Sequence, residues 1–376
     1  MVARRADVVI TGGGTAGHLY PALAIAQALV DRGHRADAIL FVGARRGLER
    51  TLLPPSGYPY VLLPGRGIVR AISLDNLAAA VGLAIALCRA IVIVGRRRPS
   101  VVISVGGYGG LAGSLAARAW RIPVVTINVD AVVGAANRLI GRFAHTSAVA
   151  FDGTGLPRAV VTGVPVRAAI LAADRTPLGR ARAREALGVG AGRHLIVIVG
   201  GSLGARRLND AAVGLRHRFA DRADLAIHHI CGAREYDRLV HEPTPSGALE
   251  YRLVGYEEEM AEVLCAADLV VGRAGAMTVA ELRVVGVASI LVPLPGAPGD
   301  HQQKNAEALA ALGAAVVVPD AEATPERLAV EIDAIVGDGE RCRAMADAAR
   351  THAAPDAAAH IAQIVDDVAT ESKGRR

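Results

Sequence analysis

The sequence predicts an α/β protein of two Rossmann-like domains facing a cleft, and three observations carry that reading. Short β-branched runs alternate with helical patterns along most of the chain, which makes a parallel sheet. Glycine turns follow two of those runs, at Gly12 to Gly17 and Gly200 to Gly204, and each opens a helix. A length of 376 residues exceeds what one core usually supports, so two domains are expected.

Taken in order, Val8, Val9 and Ile10 read as a short buried strand. After "TGGGTAGH", the residues Ala22, Ile25, Ala26, Leu29 and Val30 mark one helix face, closed by Gly33 and His34. The next strand is "AILFVG". The stretch "LAAAVGLAIALCRAIVIVGRRRPS", from Leu77, reads as a crossover helix leading into "SVVISVGG". Its length also suits a membrane span, but Arg89 inside it is costly there. "SVVISVGGYGGLAGSLAARAW" and "PVVTINVDAVVGAANRL" are further strand–turn–helix units.

A charged, Pro-punctuated segment then sets the seam near Val164, giving domains 1–163 and 164–345. From His194, "HLIVIVGGSLGARRLNDAAVGLRHRF" restarts the pattern, and "DLVVGRAGAMTVAELRVVG" and "ASILVPLPGAPGDHQQKNAEALAALG" continue it. The close of the chain is helical with a break at Pro355, and residues 346–376 are expected to pack back on the first domain.

Composition is 52% hydrophobic with 42 glycines, as suits such a fold. Aromatics at 3% argue against recognition of carbohydrate or nucleic acid through stacked rings. A net charge of +6 and a pI near 9.4 favour an anionic partner, either phosphate compounds or an acidic membrane face. An arginine-rich solvated surface gives the same totals. Cys88, Cys231, Cys265 and Cys342 have no C-x-x-C spacing, so they read as buried thiols in a reducing cytosol. The N-terminal apolar run is too short for a signal peptide.

A strand that delivers glycines to a helix start offers N–H groups and a positive dipole to an anion. Gly12, Gly14 and Gly17 fit G-x-G-x-x-G, which for NAD also needs an acid at the end of the second strand. Ala44, Arg45, Arg46 and Gly47 stand there instead, leaving an NADP-binding oxidoreductase as a rival reading. The second half points elsewhere. In "GRAGAMTVAE", Ala274, Gly275 and Ala276 let a diphosphate approach a helix start. Glu281, in the second turn, can accept both hydrogens of a ribose diol. Gln302 and Gln303, ahead of the next helix, can serve sugar hydroxyls. The competing readings are a solvated helix glutamate and a capping segment. Together these residues read as a nucleoside-diphosphate-sugar pocket.

Six motifs extend that reading over nearly the whole chain: "GGTAGHLYPALA" at Gly13, "GGYGG" at Gly106, "GVPVR" at Gly163, "GGSLGAR" at Gly200, "RAGAMTVAE" at Arg273 and "DHQQKNA" at Asp300. In this order they resemble the MurG family. The resemblance implies the GT-B glycosyltransferase fold and an inverting transfer of N-acetylglucosamine from UDP-GlcNAc. The acceptor would be undecaprenyl-diphospho-muramoyl-pentapeptide (lipid I) and the product lipid II, for peptidoglycan synthesis, cell shape and cell division. It implies no metal, no cofactor, and a peripheral enzyme at the cytoplasmic face of the bacterial cell membrane.

By motif, the resemblance assigns Ser202 and its loop to donor phosphate, Arg167 to the nucleoside end and Glu281 to the ribose. Ala276 and Met277 would line the sugar diphosphate, Gln302 and Gln303 would contact GlcNAc, and Tyr256 would begin the uracil-facing loop. Thr15, Gly17, His18 and Tyr108 would belong to the acceptor side. The family tetrad H-E-Q-N is absent: Ile127, Asn128, Val129 and Asp130 replace it, while Gly134 and Asn137 are kept. Roles of its His and Glu therefore do not carry over.

For the catalytic base, His18 is the first candidate and Asp130 the second, since an imidazole titrates near working pH. His18 could equally just bind a substrate phosphate. Arg66, Arg70 and Arg89 among Ile68, Val69 and Leu83 fit a patch for an anionic leaflet. A GT-B enzyme with another acceptor remains the nearest alternative.

Overall fold

The computed structural model describes residues 7–45, 47–64, 74–201, 204–243 and 245–374. The chain forms two compact units, Met1–Arg167 with Ala354–Arg376, and Ala168–Ala353.

The first unit holds strands β1 (Val8–Thr11), β2 (Ile39–Ala44), β3 (Tyr60–Leu63), β4 (Val101–Ser104), β5 (Val124–Asn128), β6 (Thr146–Val149) and β7 (Ala159–Val161). They lie in the order β3-β2-β1-β4-β5-β6-β7, all parallel. Val8 stands opposite Ile39 on one side and Val101 on the other. Strands covered on both faces have no solvent side, which is why "VVIT" and "VVIS" do not alternate with polar residues. The strand order reverses direction between β1 and β4. A crevice opens at such a point beyond the carboxyl ends, so the loops after Thr11 and Ser104 are placed for a ligand.

Helices Leu74–Arg97 and Gly107–Ala119 pack together over one core, with Val9, Leu40, Val102, Ala90 and Ala116 buried in it. The C-terminal helix Ala357–Gly374 packs on Ala16–Asp31. It buries Ala357, Ile361, Val365 and Val368, and Asp366 pairs with Arg32 (2.6 Å) and His34 (2.7 Å). A fully buried Val or Ile gains about 1.5–3 kcal/mol, against under about 1 kcal/mol for a partly exposed ion pair. The apolar face therefore holds this helix, and the charges set its register.

The second unit holds β8 (His194–Val199), β9 (Leu225–Ile230), β10 (Glu250–Val254), β11 (Leu269–Gly272), β12 (Ala288–Leu291) and β13 (Ala315–Val317). Their order is β10-β9-β8-β11-β12-β13, again all parallel, with Ile196 opposite Ile227 and Leu269. The reversal now lies between β8 and β11, so the same crevice logic applies to the loops after Val199 and Gly272.

The units divide later than the sequence boundaries at 163 and 345. Arg167 closes the first unit, its guanidinium 4.8 Å from the Tyr20 ring centroid. Residues 346–353 stay in the second because helix Gly339–Thr351 is continuous and plants Met345 in that core. Two thiols also depart from expectation, and of these Cys342 is half-buried. Cys88 is exposed on the outer face of Leu74–Arg97, where its neighbours one turn away on either side, Ile85 and Val92, are exposed too.

Candidate functional site

In the first unit the glycine loop is built by close backbone approaches. Gly12, Gly13 and Gly14 all have positive φ (+126°, +131° and +95°). A Cβ on Gly12 would lie 2.5 Å from the Gly106 carbonyl, and one on Gly13 would lie 2.3 Å from Glu49 Oε1. Around Gly14 there is open space, and at Gly17 the nearest atom would be Thr15 Oγ1 at 3.8 Å. The first two glycines thus serve packing, while Gly14 and Gly17 leave room beside the helix start.

Thr15 precedes helix Ala16–Asp31 in extended conformation and does not cap a backbone N–H. Its Oγ1 lies 3.0 Å from His18 Nδ1 instead, which orients the ring. A Cβ on Gly106 would meet both Asn137 Oδ1 (3.1 Å) and His18 Nε2 (3.5 Å), so the imidazole edge and the Asn137 amide converge there. Tyr108, in the first turn of Gly107–Ala119, donates to the Pro64 carbonyl at 3.3 Å, and burial raises its phenol pKa.

The altered tetrad is mostly core. Ile127, Asn128 and Val129 are buried, and Asp130 is half-buried. Asn137 Nδ2 donates to the Ile127 carbonyl (2.8 Å) and to Asn128 Oδ1 (3.2 Å), and Asn128 Nδ2 donates to the Asp130 carbonyl (2.7 Å). Asn128 is thus committed to shaping the turn.

Ser202 of the second unit lies outside the described residues, as do Arg66, Ile68, Val69 and Arg70 of the first. Gly204 has a positive φ (+79°), and a Cβ on it would lie 2.5 Å from the Cys231 carbonyl. At the exit of β11, Ala274, Gly275 and Ala276 lead into helix Ala276–Val285. Ala276 is buried, Met277 is half-buried, and Glu281 is only 9% exposed. The reading of Glu281 as a solvated helix residue is thereby corrected: its helix face turns into the protein.

Gln302 and Gln303 do not precede the next helix but form its first turn, within His301–Ala311. Gln302 Oε1 accepts the Leu294 N–H at 3.0 Å, and Gln303 Nε2 donates to Glu307 at 3.0 Å. Each amide therefore keeps its other polar atom for a ligand. Tyr256 is 55% exposed in the loop after β10. The adjacent Glu257 reaches buried His228 at 3.0 Å, where burial lowers the histidine pKa.

Three polar groups escaped sequence reading. Arg273 donates to the Val292 and Pro293 carbonyls and pairs with Asp320 at 2.6 Å, tying the exits of β11 and β12 together. Buried His229 joins Asn209 (3.0 Å) to Tyr251 (2.6 Å), and Asn209 also donates to the Cys231 carbonyl beside the Gly204 loop. Glu49 stands beyond Gly47, outside the turn that directly follows β2. Its signal was present, two residues further on.

Residues 8–149 match the glycosyltransferase family 28 N-terminal domain, and residues 195–361 its C-terminal domain. The chain is 37% identical to the UDP-N-acetylglucosamine--N-acetylmuramyl-(pentapeptide) pyrophosphoryl-undecaprenol N-acetylglucosamine transferase of Desulforudis audaxviator, covering 98% of this chain and 100% of that one. It is 38% identical to the protein of the same name from Alkalilimnicola ehrlichii, covering 95% and 97%. Its structure is similar to that of Acinetobacter baumannii MurG, with a TM-score of 0.75, 30% identity and coverage of 96% and 99%. With two Rossmann-like domains, the fold is GT-B.

Proposed function

The chain belongs to the MurG family of glycosyltransferases, and on that premise we propose that it transfers N-acetylglucosamine from UDP-GlcNAc to lipid I, yielding lipid II. The observation that carries this reading is the near-full-length relationship to proteins so named, joined to a buried carboxylate one helical turn beyond a small-residue helix start. That pairing supports a nucleoside diphosphate: helix N–H groups for phosphate, Glu281 for ribose.

Inverting transfer is a single displacement. The acceptor oxygen bonds to the anomeric carbon as the bond to UDP breaks, and the acceptor proton passes to a base. His18 takes that proton in our reading, held through Nδ1 by Thr15. The negative charge gathering on UDP is met by N–H groups at the starts of helices Arg206–Arg218 and Ala276–Val285. Ala276 and Met277 line the sugar diphosphate, Ser202 contacts phosphate, and Arg167 and Tyr256 serve the nucleoside. Gln302 and Gln303 use their remaining polar atoms on GlcNAc. Thr15, Gly17 and Tyr108 serve the acceptor.

We place the enzyme peripherally on the cytoplasmic face of the membrane, with no role for nucleic acid. Among the described residues no helix is long and apolar enough to cross a membrane. Exposed Val81, Ile85 and Val92 form one stripe on Leu74–Arg97, and Trp120 is exposed beside that helix, with Arg98 5.5 Å from its ring. Such an apolar strip edged by arginine fits an anionic leaflet. Transfer from labelled UDP-GlcNAc to lipid I, run against other lipid and natural-product acceptors, tests the function. Thermal stabilisation by UDP and not by NADPH excludes the oxidoreductase.

A further inference from the structure

We infer that Glu49 is a positioning residue for the acceptor half of the reaction: its carboxylate is the resident anion of the first glycine loop and clamps that loop to the exit of β2. One oxygen, Oε1, accepts two backbone N–H groups, from Gly14 at 3.0 Å and from Ala44 at 2.9 Å. The first belongs to the loop after β1, the second to the end of β2. The side chain is fully buried, at 0% exposure.

The surroundings are shaped to this carboxylate. A Cβ on Gly47 would lie 1.9 Å from Oε2, one on Gly13 2.3 Å from Oε1, and one on Gly43 2.7 Å from Cγ. Three glycines from two strand exits thus form the cage, and any larger residue would evict the acid. Oε2 is buried without a hydrogen-bond partner among the described residues.

Two consequences follow from this placement. The Gly14 N–H, which a strand–loop–helix turn would otherwise present to a ligand phosphate, is already held by the protein's own anion. The loop is also locked where Gly13 and Gly107 pass closely, since a Cβ on Gly107 would lie 2.9 Å from the Gly13 carbonyl. Thr15 follows Gly14 directly in the chain, and the His18 ring it holds meets Asn137 over Gly106. Glu49 therefore acts through the loop and touches no reacting atom.

The inference rests on the transfer reading, and its test separates the two. Full-length Glu49→Ala, Glu49→Asp and Glu49→Gln are assayed with UDP-GlcNAc and a soluble lipid I analogue, and UDP affinity is measured by calorimetry. Asp is too short to span both N–H groups, whereas Gln keeps the accepting oxygen. Misplacement near 1 Å costs up to about 100-fold, so Ala and Asp should lower kcat about 10- to 100-fold. UDP affinity should stay unchanged, and Gln should recover most of the turnover. Exchange of the Gly14 amide should quicken in Glu49→Ala. The clamp is overturned by normal kcat in Ala and Asp, by UDP affinity falling in step with turnover, by Gln as impaired as Ala, or by unchanged Gly14 exchange. If Glu49→Ala does not fold, Asp against Gln decides. A folded wild type inactive on lipid I overturns the transfer reading, and Gly14 exchange still decides the clamp.

Discussion

His18 Nδ1 lies 3.0 Å from Thr15 Oγ1, so the residue before the helix orients a ring in its first turn. That relationship ranks the two candidate bases. His18→Ala should lower the single-turnover rate about 100-fold or more, as lost general-base catalysis does. Thr15→Val should cost less, because it frees the ring without removing it. Asp130→Asn, which restores the family residue, should remain near normal. A dead Asp130→Asn enzyme beside a mild His18→Ala enzyme would move the base to Asp130.

Glu281 leads to a prediction on the donor side. Removing an ionised acceptor from a ribose diol costs about 1.5–3 kcal/mol, so Glu281→Gln should weaken UDP-GlcNAc binding about 10-fold or more. Melting should be little changed, since Gln is nearly isosteric. Calorimetry with UDP-GlcNAc checks this, and an unchanged affinity would remove Glu281 from the ribose.

Much of this was legible in the sequence, and the misses have physical causes. Strands such as "VVIS" and "HLIVIV" announce themselves because parallel strands covered on both faces stay apolar throughout. The glycine loop was legible as a turn, but its cause was not: Glu49 is remote in sequence from Gly14 and adjacent only through β1–β2 pairing. Glu281 was located by spacing, yet its burial depends on how its helix is seated, which periodicity does not give. Gln303 reads from the sequence as ahead of its helix, so its tie to Glu307, four residues on, emerges only once it stands in the first turn. Arg273 and His229 bind across strands, where no linear pattern points.

Membrane association should be peripheral and sensitive to salt. Arginines near an anionic surface act through a field screened within about 8 Å at physiological ionic strength and contribute about 1 kcal/mol each. Val81→Asp or Ile85→Asp should reduce sedimentation with phosphatidylglycerol liposomes while leaving UDP binding intact, and Arg98→Ala should weaken it about fivefold at low salt. Retention through high-salt and carbonate washes would show insertion of Leu74–Arg97 instead.

The last prediction concerns acid stability, through His229. Burial, aided by Arg216, lowers its pKa from 6.5 to about 3, so the ring is neutral in the folded chain. A neutral ring fits its partners: Nε2–H donates to Asn209, and Nδ1 accepts from the Tyr251 hydroxyl. Asn209 is fixed in that sense because its amide nitrogen must face the Cys231 carbonyl. The unfolded chain binds a proton near 6.5, which the folded chain refuses down to about 3. The resulting stability is therefore complete above 6.5 and is lost as pH falls towards about 3. At about 1.36 kcal/mol per unit, this residue alone should cost about 2 kcal/mol on going from neutral pH to pH ~5. His228, also lowered by burial, acts in the same direction. His229→Gln cannot titrate, so its urea stability should be lower at neutral pH but fall less steeply in acid. Parallel pH dependences for wild type and His229→Gln would show that the ring takes up its proton as readily in the folded chain as in the unfolded one, and would break the Asn209–His229–Tyr251 assignment.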